Sequence, residues 1–347
     1  MRWNKCTAVI LLSLMAIVGV ASNDAPSASL IHKQKYAMGT VFEIVAYDTA
    51  GHQATLAIDK AFQEIVRLDA VMSNYKPDSE LSRLNRTAHF HPQTVSQDLY
   101  RVIEQALPYS KLSQGKFDIS IGPLVDLWKA QLRGERTVSA ADEKRARDCV
   151  GYEKIRLLPP SRVQFNSPCL RIDLGSIGKG CAVDRAAEIL RAHRIYRALI
   201  SAGGSTIYAI GAPPGQQGWL VHLRDPSGQV SPEVILHDNS VSTSEQTSPT
   251  LLGNKPAGHI IDPQQGTPLK SSFAVSVLAR TATASDALST TLLLLGPEAG
   301  KRLVQKTTAT AAVWISPDGH LESASNGATI ATKQAPLNDG VAHASRK

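Results

Sequence analysis

One aspartate and two hydroxyl residues in the C-terminal third of the chain, Asp286, Ser289 and Thr290, are spaced so that they could bind one metal ion together. They follow a strand-like apolar run, residues 272–279, and open a helix-like run, residues 287–295. Helix positions i, i+3 and i+4 share one face, so a carboxylate and two hydroxyls would face the same point. Hard oxygen ligands of this kind suit Mg²⁺. An aspartate that opens a helix is also a common N-cap, so both interpretations stay open here.

Four glycine-bearing segments are candidates for binding phosphate groups. Glycine lets the backbone approach a ligand closely, and the N–H groups of such turns bind phosphate oxygens. In the third segment the turn leads directly into a helix, so its amides and Lys179 would face a diphosphate. A single segment of this kind is more often a tight turn than a phosphate-binding site. The four segments are residues 38–40, 115–124, 172–180 and 201–205.

Residues 259–268 place a histidine and an aspartate ahead of a Pro/Gly turn. His259 is a candidate general base, or a group that orients a phosphate. The alternative is a buried histidine bonded to the backbone, with Asp262 capping the turn.

The composition is typical of a soluble globular protein with a sizeable core. The chain has 347 residues, of which 43% are hydrophobic and 19% are charged. The formal net charge is +7, and part of it comes from Arg2 and Lys5. No run of Lys and Arg contains interleaved aromatic residues, which argues against nucleic-acid binding.

The N-terminal residues 1–21 have the pattern of a secretory signal. Arg2 and Lys5 form a positive start, and the apolar run at residues 8–20 is too short for a confident membrane span. Small residues then permit cleavage after Ala21. We therefore expect an exported protein, either periplasmic or associated with the outer face of the inner membrane.

Three cysteines follow the predicted signal, and export would permit disulfides. Cys149 and Cys169 flank a predicted strand-turn-strand and could pair. Because buried free cysteines are common, the unpaired state is an equally open alternative for both, and Cys181 has no evident partner.

Helices and short strands alternate irregularly, which favours an α+β fold with mainly antiparallel sheets and flanking helices. There is no solenoid-length repeat and no dinucleotide-binding G-x-G-x-x-G after the first strand. Residues 22–34 are predicted as a linker, 35–330 as one domain and 331–347 as a disordered tail. The predicted helices are residues 53–72, 96–113, 133–147, 182–192, 287–295 and 298–306, and the predicted strands are residues 40–47, 154–158, 162–165, 169–174, 198–201, 206–210, 219–223, 240–244, 272–279 and 311–315.

Taken in order, these motifs resemble one family, the ApbE-type flavin transferases (FAD:protein FMN transferases). The resemblance extends over about residues 35–315 and includes the segments at residues 73–81, 117–118, 124–128 and 242–244 as well as Asp184. It implies a T-fold-like architecture and a defined reaction. Such enzymes use Mg²⁺ to cleave the pyrophosphate of FAD, attach FMN through a phosphoester to a Thr or Ser of a partner protein, and release AMP.

The resemblance also implies roles for individual residues. The metal would be bound by Asp286, Thr290, the equivalent of Ser289 and the backbone carbonyl of Ser176. His259 is our candidate for activating the acceptor hydroxyl, with Asp286 contributing through the metal. The residues expected to line the FAD site are Met38, Tyr75, Lys116, Phe117, Asp118, Asp173, Lys179 and Ile261.

The chain departs from the family pattern at two places. Some members carry an acidic residue where this chain has Ser289, and residues 245–258 lack an aromatic, glycine-bounded stretch. Two other functions therefore stay open: an FAD pyrophosphatase that releases FMN and AMP, and a non-catalytic FAD-binding protein. The intact Asp173, Lys179, Asp286 and Thr290 favour catalysis. The expected partner is a flavin-accepting protein, with membrane proximity through that acceptor or the N-terminal segment.

Overall fold

The computed structural model describes residues 29–48, 52–228, 230–246, 259–271 and 273–334. The predicted signal, residues 1–21, lies outside the described residues. So do residues 247–258 of the divergent segment and residues 335–347 of the predicted tail. Within the described ranges, no helix combines the length and hydrophobicity that a membrane crossing requires.

The described residues form sixteen strands, most of them short. In chain order they are β1 (Ser29–Ala37), β2 (Thr40–Asp48), β3 (Gln93–Thr94), β4 (Ile155–Leu158), β5 (Arg162–Phe165), β6 (Ala198–Ala202), β7 (Thr206–Ile210), β8 (Trp219–His222), β9 (Val230–Leu236), β10 (Ser240–Glu245), β11 (Ile261–Asp262), β12 (Thr267–Pro268), β13 (Ala274–Ala279), β14 (Thr310–Ile315), β15 (Leu321–Asn326) and β16 (Ala331–Gln334).

Seven α-helices occur in the same part of the chain. They are α1 (His52–Met72), α2 (Glu80–Thr87), α3 (Gln97–Leu112), α4 (Gly122–Leu132), α5 (Ala140–Cys149), α6 (Gly178–Ala192) and α7 (Ala282–Val304).

An eight-stranded antiparallel sheet forms the centre of the fold, in the order β1-β2-β6-β7-β10-β13-β14-β15. Helices α1, α6 and α7 pack together and against this sheet, and the small sheet β16-β9-β8 covers its other face. Successive side chains of β2 point to opposite faces of the sheet, so this strand packs against both layers. Phe42 and Ile44 are fully buried under the helices, whereas Val45 and Tyr47 pack toward Trp219 of the small sheet.

The predicted α+β class with mainly antiparallel sheets is confirmed. The structure differs from the predicted elements in several places. Residues 169–174 form no strand, because Arg171 makes only an isolated bridge with Ile121. Residues 29–34, predicted as linker, belong to β1, and residues 331–334 of the predicted tail form β16. Helix α4 was not predicted.

Helix α7 begins earlier than its sequence pattern suggested, and this removes the cap interpretation of Asp286. Thr281 is the N-cap, since its hydroxyl accepts a hydrogen bond from the N–H of Ala284. Asp184 accepts the N–H groups of Ala282 and Thr283 at 2.7 and 2.8 Å. Asp286 therefore lies inside the helix and is not needed for capping. The two helices predicted here are confirmed, because Gly296 breaks α7 into two helical parts with a non-helical φ of 70° and ψ of 174°.

Cys149 at the end of α5 and Cys169 form a disulfide across a sequence separation of 20 residues, and Cys181 is free. The disulfide ties α5 to the segment that leads toward α6. The pairing left open above is therefore resolved.

Replacing both Cys149 and Cys169 with serine should lower the free energy of unfolding by about 3 kcal/mol, because an unfolded chain without the crosslink regains loop entropy. Chemical denaturation of the two proteins measures the difference. Dithiothreitol should destabilise the wild type and leave the double variant unchanged. Equal stability of the oxidised wild type and the variant would contradict the prediction.

Candidate functional site

A pocket of about 1460 Å³ lies between the β1–β2 turn, the start of α6 and the β11–β12 hairpin. This volume exceeds that of most drug-sized ligand sites and has room for a dinucleotide. Ser289 is absent from its lining among the described residues. The other predicted site residues all border it: Met38, Tyr75, Lys116, Phe117, Asp118, Asp173, Ser176, Lys179, His259, Ile261, Asp286 and Thr290.

Asp286 is a buried carboxylate on one wall of this pocket. Its Oδ2 accepts a hydrogen bond from the N–H of Gly180 at 2.9 Å, and its Oδ1 accepts one from the Thr206 hydroxyl at 3.2 Å. The Lys179 ammonium lies 3.7 Å from Oδ1. A buried charge needs partners of this kind, and here they come from α6 and β7.

The hydroxyl of Ser289 lies behind residues that line the pocket. It is fully buried and donates to the backbone carbonyl of Asp286 at 2.9 Å. The hydroxyl of Ser244 lies 2.8 Å from that of Ser289 and 3.2 Å from that of Thr290. Thr290 borders the pocket, and the Ser244 hydroxyl links it to the buried Ser289. The role of Ser289 as a metal ligand stays a prediction.

The start of α6 lies beside the β1–β2 turn in the wall of the pocket. Asp173 accepts the N–H of Gly175 at 2.8 Å, which closes the turn before the helix, and the Lys179 ammonium lies 3.4 Å from the carbonyl of Gly175. The positive end of a helix dipole favours anions, and α6 directs that end into the pocket. Met38 sits at φ 51° in a two-residue turn, and its Sδ-methyl approaches Gly178.

The pocket lining also includes an exposed tyrosine, Tyr75, and two more lysines, Lys116 and Lys129. The Lys129 ammonium lies 2.6 Å from the Tyr75 hydroxyl and 4.6 Å from its ring centre. The Lys116 ammonium pairs with Asp262 at 2.7 Å. Asp262 is buried and also accepts the N–H of Gln264, so it caps the turn as well. These contacts hold the Tyr75 and Lys116 side chains in place within the lining.

Phe117, Asp118 and Ile261 are mostly buried and form the floor of the pocket. Asp118 accepts hydrogen bonds from the N–H and hydroxyl of Ser120 and from the N–H of Tyr152. Burial nevertheless raises the pKa of Asp118 to about 6. Its contacts shape the loop before α4, and its contribution to an FAD site stays a prediction.

The ApbE family profile matches residues 38–314, which is most of the chain. The chain belongs to the ApbE family. The resemblance described above is thereby confirmed.

Relatives and solved structures of the family agree with this assignment. The FAD:protein FMN transferase of Salmonella typhimurium is 27% identical over 323 residues, covering 88% of this chain and 91% of the relative. The FAD:protein FMN transferase of Escherichia coli K12 is 30% identical over 253 residues, covering 69% of this chain and 70% of the relative. The structure of the flavin transferase ApbE from Vibrio cholerae has a TM-score of 0.75 at 26% identity, covering 86% of this chain and 98% of the other.

Two side-chain contacts at the candidate site of this ApbE-family protein could not be inferred from sequence motifs. Lys129 meets Tyr75 across 54 residues of chain, and Thr206 meets Asp286 across 80. Neither pair has a local spacing that would indicate the contact. Asp262 was noted only as a turn cap, because its ion pair with Lys116 spans 146 residues.

His259 borders the pocket of this ApbE-family protein and is exposed toward it. The surrounding protein partly shields the His259 ring from water. This desolvation lowers the pKa of His259 below the ordinary 6.5. The positive charges of Lys179 and Lys129 lower the pKa of His259 further. The imidazole is therefore neutral at pH 7 and able to accept a proton.

An NMR titration should give His259 a midpoint below 6.5. Lys129→Met should raise its pKa by removing one repelling charge, whereas Lys76→Met should not, since Lys76 is not among the charges that lower it. Because the fold favours the neutral ring, its contribution to stability is present above pH 6.5 and is lost as the pH falls through the lowered pKa. A midpoint above 6.5 in the wild type would refute this assignment.

Proposed function

We propose that this protein is an Mg²⁺-dependent FAD:protein FMN transferase that attaches FMN to a Thr or Ser of a partner protein and releases AMP. One observation carries the proposal. A pocket with room for a dinucleotide has Lys179, the start of α6 and the buried Asp286 on one wall. The names of the family relatives in Salmonella and E. coli describe the same activity.

Anion binding is the first task of such a site. Oxygens of a diphosphate repel an attacking hydroxyl unless their charge is neutralised. Lys179 supplies a fixed positive charge, and the start of α6 adds the positive end of its dipole. Because Lys179 also lies 3.7 Å from Asp286, the phosphate and the carboxylate would share one cation.

The transfer step needs a base and a balanced exchange of bonds. The acceptor hydroxyl oxygen forms a bond to the phosphorus of the FMN half while the P–O bond to the AMP half breaks. AMP departs with that electron pair, and the hydroxyl proton passes to His259. The lowered pKa of His259 keeps its ring neutral at pH 7 and suits it to this role.

The oxygen atoms present at the pocket wall fit Mg²⁺. Asp286, the hydroxyl of Thr290 and the backbone carbonyl of Ser176 all belong to residues that border the pocket, and all are hard donors. Within the described residues, no group of three or more His, Cys, Asp or Glu side chains could hold an ion. A bound Mg²⁺ would polarise the phosphoryl oxygens and neutralise their charge.

The other residues of the pocket would bind the rest of FAD. Tyr75 offers an exposed ring that Lys129 holds in place, and Met38 offers an apolar side chain at the β1–β2 turn. Lys116, Asp118 and Asp173 add polar contacts along the same pocket. The list of proposed FAD contacts is completed by Phe117, Lys179 and Ile261.

We also propose that the protein works outside the cytoplasm, in the periplasm or on the outer face of the inner membrane. The signal-like residues 1–21 motivate this location. The disulfide between Cys149 and Cys169 supports it, because such bonds persist in oxidising compartments.

Incubation of the protein with FAD, Mg²⁺ and a flavin-accepting protein domain tests the proposal. We expect AMP release together with covalent flavin fluorescence on the acceptor, and neither without Mg²⁺. An acceptor whose target Thr is replaced by Val should stay unlabelled. AMP without labelled acceptor would identify a pyrophosphatase, and bound FAD without AMP would identify a binding protein; either result would overturn the proposal.

A further inference from the structure

We infer that Thr206 is a positioning residue for Asp286: its hydroxyl, opposite the N–H of Gly180, orients the carboxylate that would hold Mg²⁺. The inference rests on the proposed function, in which Asp286 is a metal ligand. It assigns a role to a residue that belongs to none of the motifs described above.

The contact between Thr206 and Asp286 lies in the protein interior. Thr206 is the first residue of β7, is fully buried, and lies opposite Ser242 of β10 and Ala202 of β6. Its Oγ1 donates to Asp286 Oδ1 at 3.2 Å. A β-branched side chain in a central strand has few rotamers, so the hydroxyl is held in place before any ligand arrives.

Two donors on the two carboxylate oxygens restrict rotation of the Asp286 side chain. Gly180 N–H holds Oδ2 at 2.9 Å and Thr206 holds Oδ1 at 3.2 Å. Each oxygen accepts one such hydrogen bond and keeps lone-pair capacity for a cation in the pocket. Hydrogen bonds that orient a metal ligand typically change metal affinity by 10- to 100-fold.

Thr206 is not among the residues that border the pocket in the described part of the chain. It therefore acts through Asp286 rather than by touching a substrate. Thr310 offers a matched control, because it is also a buried threonine that begins a strand, β14, and among the described residues its hydroxyl bonds only a local carbonyl, that of Thr308.

Calorimetric titration of the full protein with Mg²⁺, in the presence of saturating FAD, tests the inference without using activity. Thr206→Val should weaken Mg²⁺ binding about tenfold or more. Thr206→Ser keeps the hydroxyl and should bind nearly as the wild type does, as should Thr310→Val. Thermal unfolding of each variant confirms that the protein titrated is folded.

Equal Mg²⁺ affinity of Thr206→Val and the wild type would overturn the inference. Equal loss in the Val and Ser variants would also overturn it, since the methyl group rather than the hydroxyl would then matter. Absence of Asp286-dependent Mg²⁺ binding in the wild type would overturn it as well. Tight Mg²⁺ binding that depends on Thr206, without any FMN transfer, would instead refute the proposed function alone.

Discussion

Asp286→Asn should lower kcat/KM for FMN transfer by about a thousandfold or more, because a bound cation and the charge it neutralises account for several kcal/mol of transition-state stabilisation. The amide keeps the size of the side chain and an oxygen for the Thr206 hydroxyl. Its NH2 group faces the N–H of Gly180, so the change removes the charge and one hydrogen bond while it keeps the shape of the side chain. Its effect is measured from initial rates of AMP release at varied Mg²⁺.

Asp238→Asn is a matched control for that substitution. Asp238 pairs with Arg191 at 2.7 Å and accepts the N–H of Gly211, and it does not border the pocket. Its variant should transfer FMN at the wild-type rate. A fully active Asp286→Asn enzyme would remove Asp286 from the site.

Gly180→Ala should destabilise the fold by about 3 kcal/mol or more, or prevent folding, since overpacking against backbone is costly. A Cβ at this position would lie 2.3 Å from the carbonyl oxygen of Ala282 and 2.8 Å from Asp286 Cβ. Helices α6 and α7 cross closely here, and only glycine allows that approach. Chemical denaturation of the variant and the wild type measures the loss.

Gly178→Ala is the control, because it lies in the same helix and its added Cβ would meet nothing nearer than Met38 Cε at 3.7 Å. It should retain near wild-type stability. If both alanine variants were equally stable, the close crossing of α6 and α7 at Gly180 would be refuted. The crossing also matters for the site, since the N–H of Gly180 bonds Asp286.

The parts of the fold that follow one regular pattern were predictable. The apolar stripe of α1 and the alternation of β2 gave the correct elements to within a residue. Edge strand β1 was missed because most of its residues are exposed and polar, so no buried face marks it. The apolar residues Leu170, Ile172 and Leu174 led to the prediction of a strand at residues 169–174. They are buried, yet the segment forms only an isolated bridge.

The candidate site was also predictable only in part. Residues within one motif, such as Asp286 and Thr290, were found because helical spacing brings them together. The partners that hold them come from distant elements: Gly180 lies 106 residues from Asp286 and Thr206 lies 80 away. Such contacts depend on how α6, α7 and β7 pack. The buried orientation of Ser289 depends on the same packing, which residue types alone do not encode.

The most direct test of the proposed transferase activity is the stoichiometry of its two products. The protein is given limiting FAD, Mg²⁺ and excess acceptor, and AMP is quantified beside the intact mass of the acceptor. The proposed transferase activity predicts one FMN bound covalently to the acceptor for each AMP released, with no free FMN. Release of AMP and free FMN in equal amounts, with the acceptor mass unchanged, would contradict it.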